Sequence, residues 1–178
     1  MALLGIDVGT GGSRAILINE QGKVLASATE NHEPFASPKT GWAEQAPEDW
    51  WRASQIAIRS VLKQGVLDPD TVTGIGLSGQ MHGAVLLDAS GSVVRPAIIW
   101  CDQRTQTQCQ WLTDTIGAAR LIELTSNPAL TGFTLPKLLW VREHEPNEWT
   151  QVKRVLLPKD YIRLRLTGAY ATDVADAS

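Results

Sequence analysis

The sequence has few cysteines: Cys101 and Cys109 are the only two in 178 residues. They do not form a CxxC pair, and none of the three histidines clusters with them. Cysteine-based metal sites and disulfide-stapled secreted domains both need more thiols at closer spacing. We therefore expect two reduced thiols and no cysteine-based metal site.

Basic runs and long apolar runs are also missing. The formal net charge is -3, and the 16 Lys and Arg residues do not gather into a run. This excludes the electrostatic pattern of a nucleic-acid or anionic-membrane binder. No apolar stretch reaches the roughly 18 residues that a membrane span needs, and the start lacks the pattern of a secretion signal. We expect a cytoplasmic protein that binds neither nucleic acid nor membrane.

Apolar residues make up 43% of the sequence, which is enough for one substantial core and favours a single domain. The start predicts an antiparallel meander of three strands, at residues 3–8, 14–19 and 23–30, with a tight turn at 19–22. A helix predicted to begin at Pro47 covers this sheet. Its apolar face consists of Trp50, Ala53, Ala57 and Val61.

The remaining elements alternate between strands and helices. A buried strand is predicted at residues 71–80, followed by two or three short strand segments within residues 83–100 and a turn at 89–92. The periodicity then becomes helical. Helices are predicted over residues 105–116, 136–145 and 159–167.

A glycine-rich loop, GTGG (residues 9–12), follows the first predicted strand. It fits neither GxGxxG, whose third glycine would be at position 14, nor the Walker A pattern, because no GK[ST] follows. The loop joins two strands, so no helix N-terminus faces it. Phosphate donors must then come from the backbone and from nearby side chains. The candidates are Gly11 and Gly12, the hydroxyls of Thr10 and Ser13, and the guanidinium of Arg14.

Asp7 stands directly before this loop and would repel a phosphate held there. A Mg2+ ion between them removes the repulsion, because Mg2+ prefers a few carboxylates together with phosphate oxygens and water. The sequence therefore predicts Asp7 as a Mg2+ ligand, either directly or through water. The alternative is an ordinary glycine-rich hairpin with a solvated aspartate, and this segment alone does not decide between them.

A second polar segment, SGQMHG (residues 78–83), follows the buried strand. Gln80 and His82 can donate and accept hydrogen bonds, and Met81 offers an adaptable apolar surface. This mixture suits a polyhydroxylated ligand with an apolar edge. A lone histidine is more often structural, but open α/β sheets bind ligands at strand ends, which favours a binding role here.

Trp100 also ends a predicted strand, where it could stack on the apolar face of a sugar. Asp102 and Arg104 follow closely and add charged groups to the same segment. Two opposite charges two residues apart often pair with each other or with the turn, and that interpretation is favoured over a ligand contact. Both interpretations remain open for Asp102.

A serine hydrolase is a competing class. GLSGQ (residues 76–80) nearly matches the GxSxG nucleophile elbow, and Ser78, Asp102 and His144 occur in hydrolase order. However, Gln80 replaces the last glycine and would crowd the sharp turn. His144 lies in a charged segment that we expect to be exposed, so the sequence disfavours this class.

Together these segments resemble the FGGY carbohydrate kinases, which belong to the actin-like, hexokinase and Hsp70 superfamily. The QMH tripeptide and the long GFTLPKLLW stretch separate the chain from glycerol kinase, which has charged residues at the equivalents of Met81 and His82. The resemblance runs the length of the chain. Its segments are DVGTGGSR (7–14), LSGQMHG (77–83), RPAIIWCDQR (95–104), GFTLPKLLWVREH (132–144) and LLPKDYIRLRLTG (156–168).

The resemblance implies an α/β fold: a ribonuclease H-like (actin-like ATPase) lobe, whose mixed sheet begins with the antiparallel three-stranded meander and is flanked by helices. It implies ATP-dependent phosphorylation of D-xylulose to D-xylulose 5-phosphate, with ATP and Mg2+, in a cleft between two lobes. Asp7 would then position Mg2+ and phosphate. The nucleotide phosphates would meet Thr10, Gly11, Gly12, Ser13 and Arg14. The sugar site would comprise Gln80, Met81, His82, Trp100 and Asp102.

Family members are much longer than this chain. The resemblance therefore implies that residues 1–178 form the N-terminal sugar-binding lobe, with the catalytic aspartate and the nucleotide-binding lobe beyond position 178. The polar ending ATDVADAS (171–178) is interpreted as an interruption or, equally, as a frayed terminus. We expect the chain alone to be inactive, because the general base and much of the nucleotide positioning would be missing.

Two alternatives to this function stay open. One is a kinase of the same family that acts on another sugar or polyol, and the other is a non-catalytic sugar-binding remnant. The oligomeric state is equally open. A tryptophan-rich surface left exposed by a missing lobe would favour self-association, for which a homodimer is the simplest form.

Overall fold

The structure, a computed structural model, describes residues 1–66 and 68–176 as short strands interspersed with helices. The strands are β1 (Ala2–Val8), β2 (Gly12–Asn19), β3 (Val24–Asn31), β4 (Glu44–Gln45), β5 (Val72–Gly79), β6 (Val85–Leu87), β7 (Ala97–Ile98) and β8 (Arg154–Leu156). The α-helices are α1 (Pro47–Gly65), α2 (Gln106–Ile116), α3 (Ala118–Thr125), α4 (Thr134–His144), α5 (Pro146–Gln151) and α6 (Pro158–Thr167). The last two residues of the predicted polar ending lie outside the described residues.

The chain divides into two compact units, each assembled from separated segments. Unit 1 comprises Met1–Pro34, Pro47–Gln80 and Lys159–Tyr170. Unit 2 comprises Phe35–Ala46, Met81–Pro158 and Ala171–Ser178. Nothing in the sequence predicts this division, because no linker or change in composition marks its boundaries.

Unit 1 is built on a four-stranded sheet in the order β3-β2-β1-β5. β1 pairs antiparallel with β2, β2 pairs antiparallel with β3, and β5 lies parallel to β1. The predicted meander and mixed sheet are thus confirmed. The β2–β3 turn is also confirmed: the Asn19 side chain accepts from the amides of Gln21 and Lys23, and Gly22 has a φ of 74°.

Strand periodicity explains which side chains of β1 are buried. Ala2, Leu4, Ile6 and Val8 are buried, whereas Asp7 is exposed. Because successive side chains of a strand point to opposite faces, burying the apolar set leaves Asp7 on the other face. The exposure of Asp7 therefore follows from the pattern of its apolar neighbours.

Helix α1 packs on β2 and β3 through its apolar face. Trp50, Ala53, Ala57 and Val61 are all 0–1% exposed, as their helical spacing predicts. Pro47 begins the helix, and Glu48 and Asp49 lie in its first turn, where acids favour the positive end of the helix dipole. The sequence-based prediction of this helix is confirmed.

Unit 2 contains two small antiparallel pairs, β4 with β7 and β6 with β8. Its core cluster consists of Leu86, Ile98, Trp140 and Val141. The predicted turn at residues 89–92 is present, since the Asp88 carboxylate accepts from the amides of Ser90 and Ser92.

The three predicted helices after residue 104 are confirmed as α2, α4 and α6, although α4 begins two residues before the prediction. The sequence reading missed the short elements α3, α5, β4 and β8. Among the described residues, no helix combines the length and the apolar character needed to cross a membrane.

Candidate functional site

The GTGG loop of unit 1 is a tight connection between β1 and β2. The amide of Gly9 donates to the carbonyl of Gly12 at 3.0 Å. A Cβ at position 12 would lie 2.7 Å from the Glu30 carbonyl oxygen, whereas a Cβ at Gly11 would meet nothing within 4 Å. Gly12 is therefore needed for close packing against the end of β3, and Gly11 leaves open space beside the backbone.

Asp7 and Arg14 flank this loop on one face of the sheet. The two residues are directly paired across β1 and β2, and Ser78 of β5 is paired with Asp7 on the other side. Asp7 and Arg14 are both exposed, and Nε of Arg14 donates to Ser27 Oγ at 3.1 Å. The structure thus brings together an acid, a fixed cation and a loop in which Gly11 leaves open space beside the backbone.

The Ser13 hydroxyl does not lie on the exposed side of the loop, where the sequence predicts that it contacts phosphate. Its side chain is 0% exposed, lies 2.9 Å from His32 Nε2, and accepts from Ser54 Oγ at 3.2 Å. Ser13 shares the buried parity of Ala15 and Leu17 in β2, so the strand directs it away from Arg14. The predicted contact of this hydroxyl with phosphate is corrected, because the group is buried and already hydrogen-bonded.

His32 is a supporting residue that the sequence reading missed. Its amide donates to the Gly11 carbonyl at 3.0 Å, and its Nδ1 lies 3.4 Å from the Thr10 carbonyl. Burial lowers the pKa of His32 below its ordinary value. The imidazole is therefore neutral at pH 7, and a neutral ring can donate through Nδ1 to Thr10 while it accepts from Ser13 at Nε2.

Gln80 also supports the loop. It is buried, its amide donates to the Val8 carbonyl at 2.8 Å, and its side-chain Nε2 donates to the Gly9 carbonyl at 3.2 Å. The sequence reading assigned Gln80 to the sugar site. In the structure, these two hydrogen bonds connect Gln80 to the glycine loop of the same unit.

Unit 2 also has a sharp backbone turn, which is centred on His82. His82 has a φ of 61°, in the left-handed region that non-glycine residues rarely adopt. Its ring packs on Phe133, with the centroids 4.5 Å apart. Burial and the nearby charge of Lys137 lower the pKa of His82, so its imidazole is neutral at pH 7. Met81, beside it, is 53% exposed.

Lys137, from the first turns of α4, is a second residue that the sequence reading missed. It is 0% exposed, and its Nζ donates to the carbonyls of His82 at 2.7 Å and Gly132 at 2.5 Å. Burial lowers its pKa to about 7. The sequence does contain a signal for the burial of Lys137: it shares one helical face with Trp140 and Val141, which lie three and four positions further on.

Trp100 and Asp102 have different environments. Trp100 is 47% exposed, which leaves part of its indole accessible. Asp102 is 0% exposed, and its carboxylate binds Arg104 at 2.7 Å and accepts from the amide of Ala43 at 2.7 Å. The favoured alternative, pairing with Arg104, is thus confirmed. The assignment of Asp102 to substrate is corrected, since its carboxylate is buried and engaged.

Arg104 extends this pair into a buried network of charges and tryptophans in unit 2. Its guanidinium lies 2.7 Å from Glu44 and stacks 3.7 Å from the ring centroid of Trp42. Glu44 also binds Arg95 at 2.6 Å. Asp102 and Arg104, the charged residues that follow Trp100, are therefore part of the packed interior of unit 2.

The class of protein follows from the family that the whole chain matches. The sequence matches the N-terminal domain of the FGGY family of carbohydrate kinases over residues 2–178. The chain therefore belongs to the FGGY family of carbohydrate kinases. The predicted family is confirmed.

Among its relatives, the xylulose kinase of Klebsiella pneumoniae is 50% identical over 175 residues, which are 98% of this chain and 35% of that protein. A solved "xyloylose kinase" from Brucella ovis superposes with a TM-score of 0.94 at 40% identity, covering 99% of this chain and 36% of that chain. A xylulose kinase from Rhodospirillum rubrum gives a TM-score of 0.94 at 28% identity, with the same coverage of 99% and 36%. The chain spans about 35% of the length of the curated relatives it matches. The predicted α/β, actin-like fold is confirmed by these neighbours and by the mixed sheet.

Proposed function

We propose that this chain is the N-terminal part of a kinase that transfers the γ-phosphoryl group of ATP to the terminal hydroxyl of D-xylulose, giving D-xylulose 5-phosphate. The observation that carries the proposal is the glycine loop flanked by the exposed, directly paired Asp7 and Arg14. Family membership supports the reaction class, and the names of its relatives support the substrate.

The loop supplies positioning and charge stabilisation, which provide most of the catalysis in phosphoryl transfer. In this proposal the backbone around Thr10, Gly11 and Gly12 approaches the phosphates, and Arg14 adds a fixed positive charge. The support is geometric: the missing Cβ of Gly11 leaves open space, and the side chain of Arg14 is exposed. His32 and Gln80 hold the loop from behind through its carbonyls.

Asp7 is the proposed Mg2+ ligand. The described part of the chain contains no group of three or more His, Cys, Asp or Glu side chains that fits a metal ion. One exposed carboxylate does fit Mg2+ if phosphate oxygens and water complete the coordination sphere. When bound, the ion would neutralise charge on the phosphates.

The sugar would meet the second group of residues, in unit 2. The neutral imidazole of His82 can donate or accept a hydrogen bond, and the half-exposed side chains of Met81 and Trp100 offer apolar surface. A ketose has hydroxyls that can hydrogen-bond to the imidazole of His82, and it has C–H faces that can pack on Met81 and Trp100. The observed exposure of these side chains supports this assignment.

In the proposed reaction, the sugar hydroxyl oxygen forms a bond to the γ-phosphorus while the bond from that phosphorus to the ADP oxygen breaks. The hydroxyl proton passes to a general base. Asp102 and Asp160 are buried in ion pairs with Arg104 and Lys159. We propose that the base lies outside residues 1–178 and that the isolated chain does not turn over ATP; the support is the family, whose members are about three times as long as this chain.

The proposal is tested on the complete polypeptide that contains this chain, with a coupled assay of ADP release and a panel of D-xylulose, D-ribulose, glycerol and xylitol. D-Xylulose is expected to give the highest kcat/KM. A clearly higher value for another member of the panel would replace the substrate and keep the class. No ADP release above the rate without sugar would instead favour the sugar-binding remnant.

A further inference from the structure

Lys137 is the most unusual buried group in unit 2. Lysine is almost never fully buried unless it is paired, because removing its charge from water is costly. Here the side chain is 0% exposed. Its two hydrogen-bond acceptors are the backbone carbonyls of His82 and Gly132, at 2.7 and 2.5 Å. Because its Nζ binds both carbonyls, Lys137 constrains the position of the His82 backbone relative to the Gly132 backbone.

The carboxylate of Asp102 does not account for this burial. Asp102 attracts the charge of Lys137 through space, but its oxygens are hydrogen-bonded to Arg104 and to the amide of Ala43. The amino group of Lys137 therefore donates to two backbone carbonyls. A lysine amine carries at least two N–H donors whether it is charged or neutral, so both contacts can persist on either side of its pKa of about 7.

The first carbonyl belongs to a strained residue. His82 adopts a φ of 61°, in the left-handed region that is unfavourable for a residue with a Cβ. The hydroxyl of Thr134 donates to the same carbonyl at 3.2 Å. Lys137 and Thr134 thus both hold the peptide that sets the direction of the His82 imidazole, and Phe133 packs on that ring.

The second carbonyl connects this turn to the segment of Trp100. Gly132 lies so close to Trp100 that a Cβ on it would be 2.9 Å from the Trp100 carbonyl oxygen. By binding Gly132 and His82 together, Lys137 joins the backbone beside Trp100 to the backbone of His82. These are two of the side chains that the proposed function assigns to the sugar.

We infer that Lys137 is a positioning residue for the ketose: it fixes the backbones of His82 and Gly132 so that the imidazole of His82 and the indole of Trp100 face the sugar in one arrangement. This inference rests on the proposed function for the identity of the ligand. It requires no contact between Lys137 and the sugar, because the lysine acts through the two carbonyls.

The test uses Lys137→Met in the complete polypeptide, with Lys153→Met as the matched control, since Lys153 is exposed and belongs to the same unit. KM for D-xylulose and KM for ATP are measured separately. Lys137→Met is expected to raise the ketose KM about tenfold or more while the ATP KM stays within about twofold, because only the geometry of the sugar residues is lost. Lys153→Met should change neither.

A second pair of variants keeps the test decisive if Lys137→Met does not fold. Thr134→Val removes the other donor to the His82 carbonyl, and Thr134→Ser keeps it. The valine variant should raise the ketose KM about two- to fivefold and the serine variant should restore it, because only the hydroxyl differs in function. An unchanged ketose KM in both Lys137→Met and Thr134→Val, or equal rises in the ketose and ATP KM, would overturn the inference.

A readout without turnover separates this inference from the proposed function. In NMR spectra of the complete polypeptide without ligands, the amide and imidazole signals of His82 should shift in Lys137→Met and stay unchanged in Lys153→Met. If they shift while the wild type phosphorylates no ketose, the proposed function fails, and what stands is that Lys137 fixes the backbone of His82. If they do not shift, the positioning role fails whatever the activity.

Discussion

The glycine loop of unit 1 and the His82 turn of unit 2 are both sharp backbone features, but they are stabilised in opposite ways. The loop is held by neutral groups: His32 and Gln80 contact its carbonyls, and Gly12 fits because it has no Cβ. The turn is held by the buried, ionisable amine of Lys137 and contains a residue with positive φ that is not glycine.

The different ways in which the loop and the turn are stabilised are consistent with the different ligands proposed for them. A phosphate brings its own negative charge, so a loop that receives it needs free amides and an exposed cation, and a buried charge behind it would serve no purpose. A sugar is neutral and competes weakly for a buried amine that already has two carbonyl partners. A buried lysine can therefore keep its hydrogen bonds to the His82 turn when the proposed ligand binds.

The largest expected effect that distinguishes the two regions comes from adding one methyl group to the loop. Gly12→Ala places a Cβ 2.7 Å from the Glu30 carbonyl oxygen. We expect a loss of about 1–3 kcal/mol in the free energy of unfolding, because the backbone must shift. The ATP KM should rise about tenfold while the ketose KM changes little.

Gly11→Ala is the matched control for the steric effect, since its Cβ would meet nothing within 4 Å. Its free energy of unfolding should change by less than about 0.5 kcal/mol, as for an exposed site. Chemical denaturation and steady-state kinetics of the complete polypeptide check both variants. Equal destabilisation by the two alanines would refute the account of close packing at Gly12.

A smaller effect is expected from the ionisation of Lys137, the residue that holds the turn. The pKa of Lys137 is about 7 in the folded protein, well below its ordinary value in the unfolded chain. Between these values the unfolded state binds a proton that the folded state has released, so stability rises with pH above about 7 and levels off below it, where both states are protonated. The slope approaches about 1.4 kcal/mol per pH unit.

The measurement is the free energy of unfolding between pH 7 and 8.5. The Cys101 thiol, whose pKa is raised by burial, also acts on Lys137 and is present in every protein compared. Wild type should gain about 1–2 kcal/mol over this range relative to Lys137→Met. Lys153→Met should keep the wild-type slope. Asp102 and Arg104 also act on the charge of Lys137 and are present in all three proteins. Parallel curves for wild type and Lys137→Met would contradict the depressed pKa.

The smallest effect concerns Ser13. Ser13→Ala removes the hydrogen bond to His32, and we expect a loss of about 0.5–1.5 kcal/mol in the free energy of unfolding. The ATP KM should stay within about twofold, because the buried hydroxyl does not reach phosphate. A tenfold rise in ATP KM without a loss of stability would restore the role that the sequence reading gave to Ser13.

These residues also indicate how far sequence reasoning reaches. The meander, α1 and the exposure of Asp7 follow from local periodicity, and sequence resemblance identified the family. Ser13 was misassigned because the motif was given more weight than the strand alternation that it shares with Ala15 and Leu17. The short strand β8 was missed because it pairs with β6, which is distant in the chain, and local patterns do not report such pairing.

The supporting residues His32 and Lys137 were missed for the same reason. Each acts on a backbone carbonyl of a segment that is 20 or more residues away in the chain, namely Thr10 for His32 and His82 for Lys137. No spacing rule connects such pairs. Asp102 was in doubt because an acid next to an arginine has both a structural and a binding interpretation, and only burial decides between them.

The most direct test of the account is the affinity of the complete polypeptide for ATP, measured by calorimetry with Mg2+ and with a chelator, for wild type and Asp7→Ala. Asp114→Ala, which removes an exposed acid in α2, is the control. Wild type and the control should bind ATP about tenfold more tightly with Mg2+, and Asp7→Ala should lose this difference together with turnover, because its carboxylate shares the ion with phosphate. An Asp7→Ala protein that keeps both the Mg2+ dependence and normal turnover would contradict the central claim.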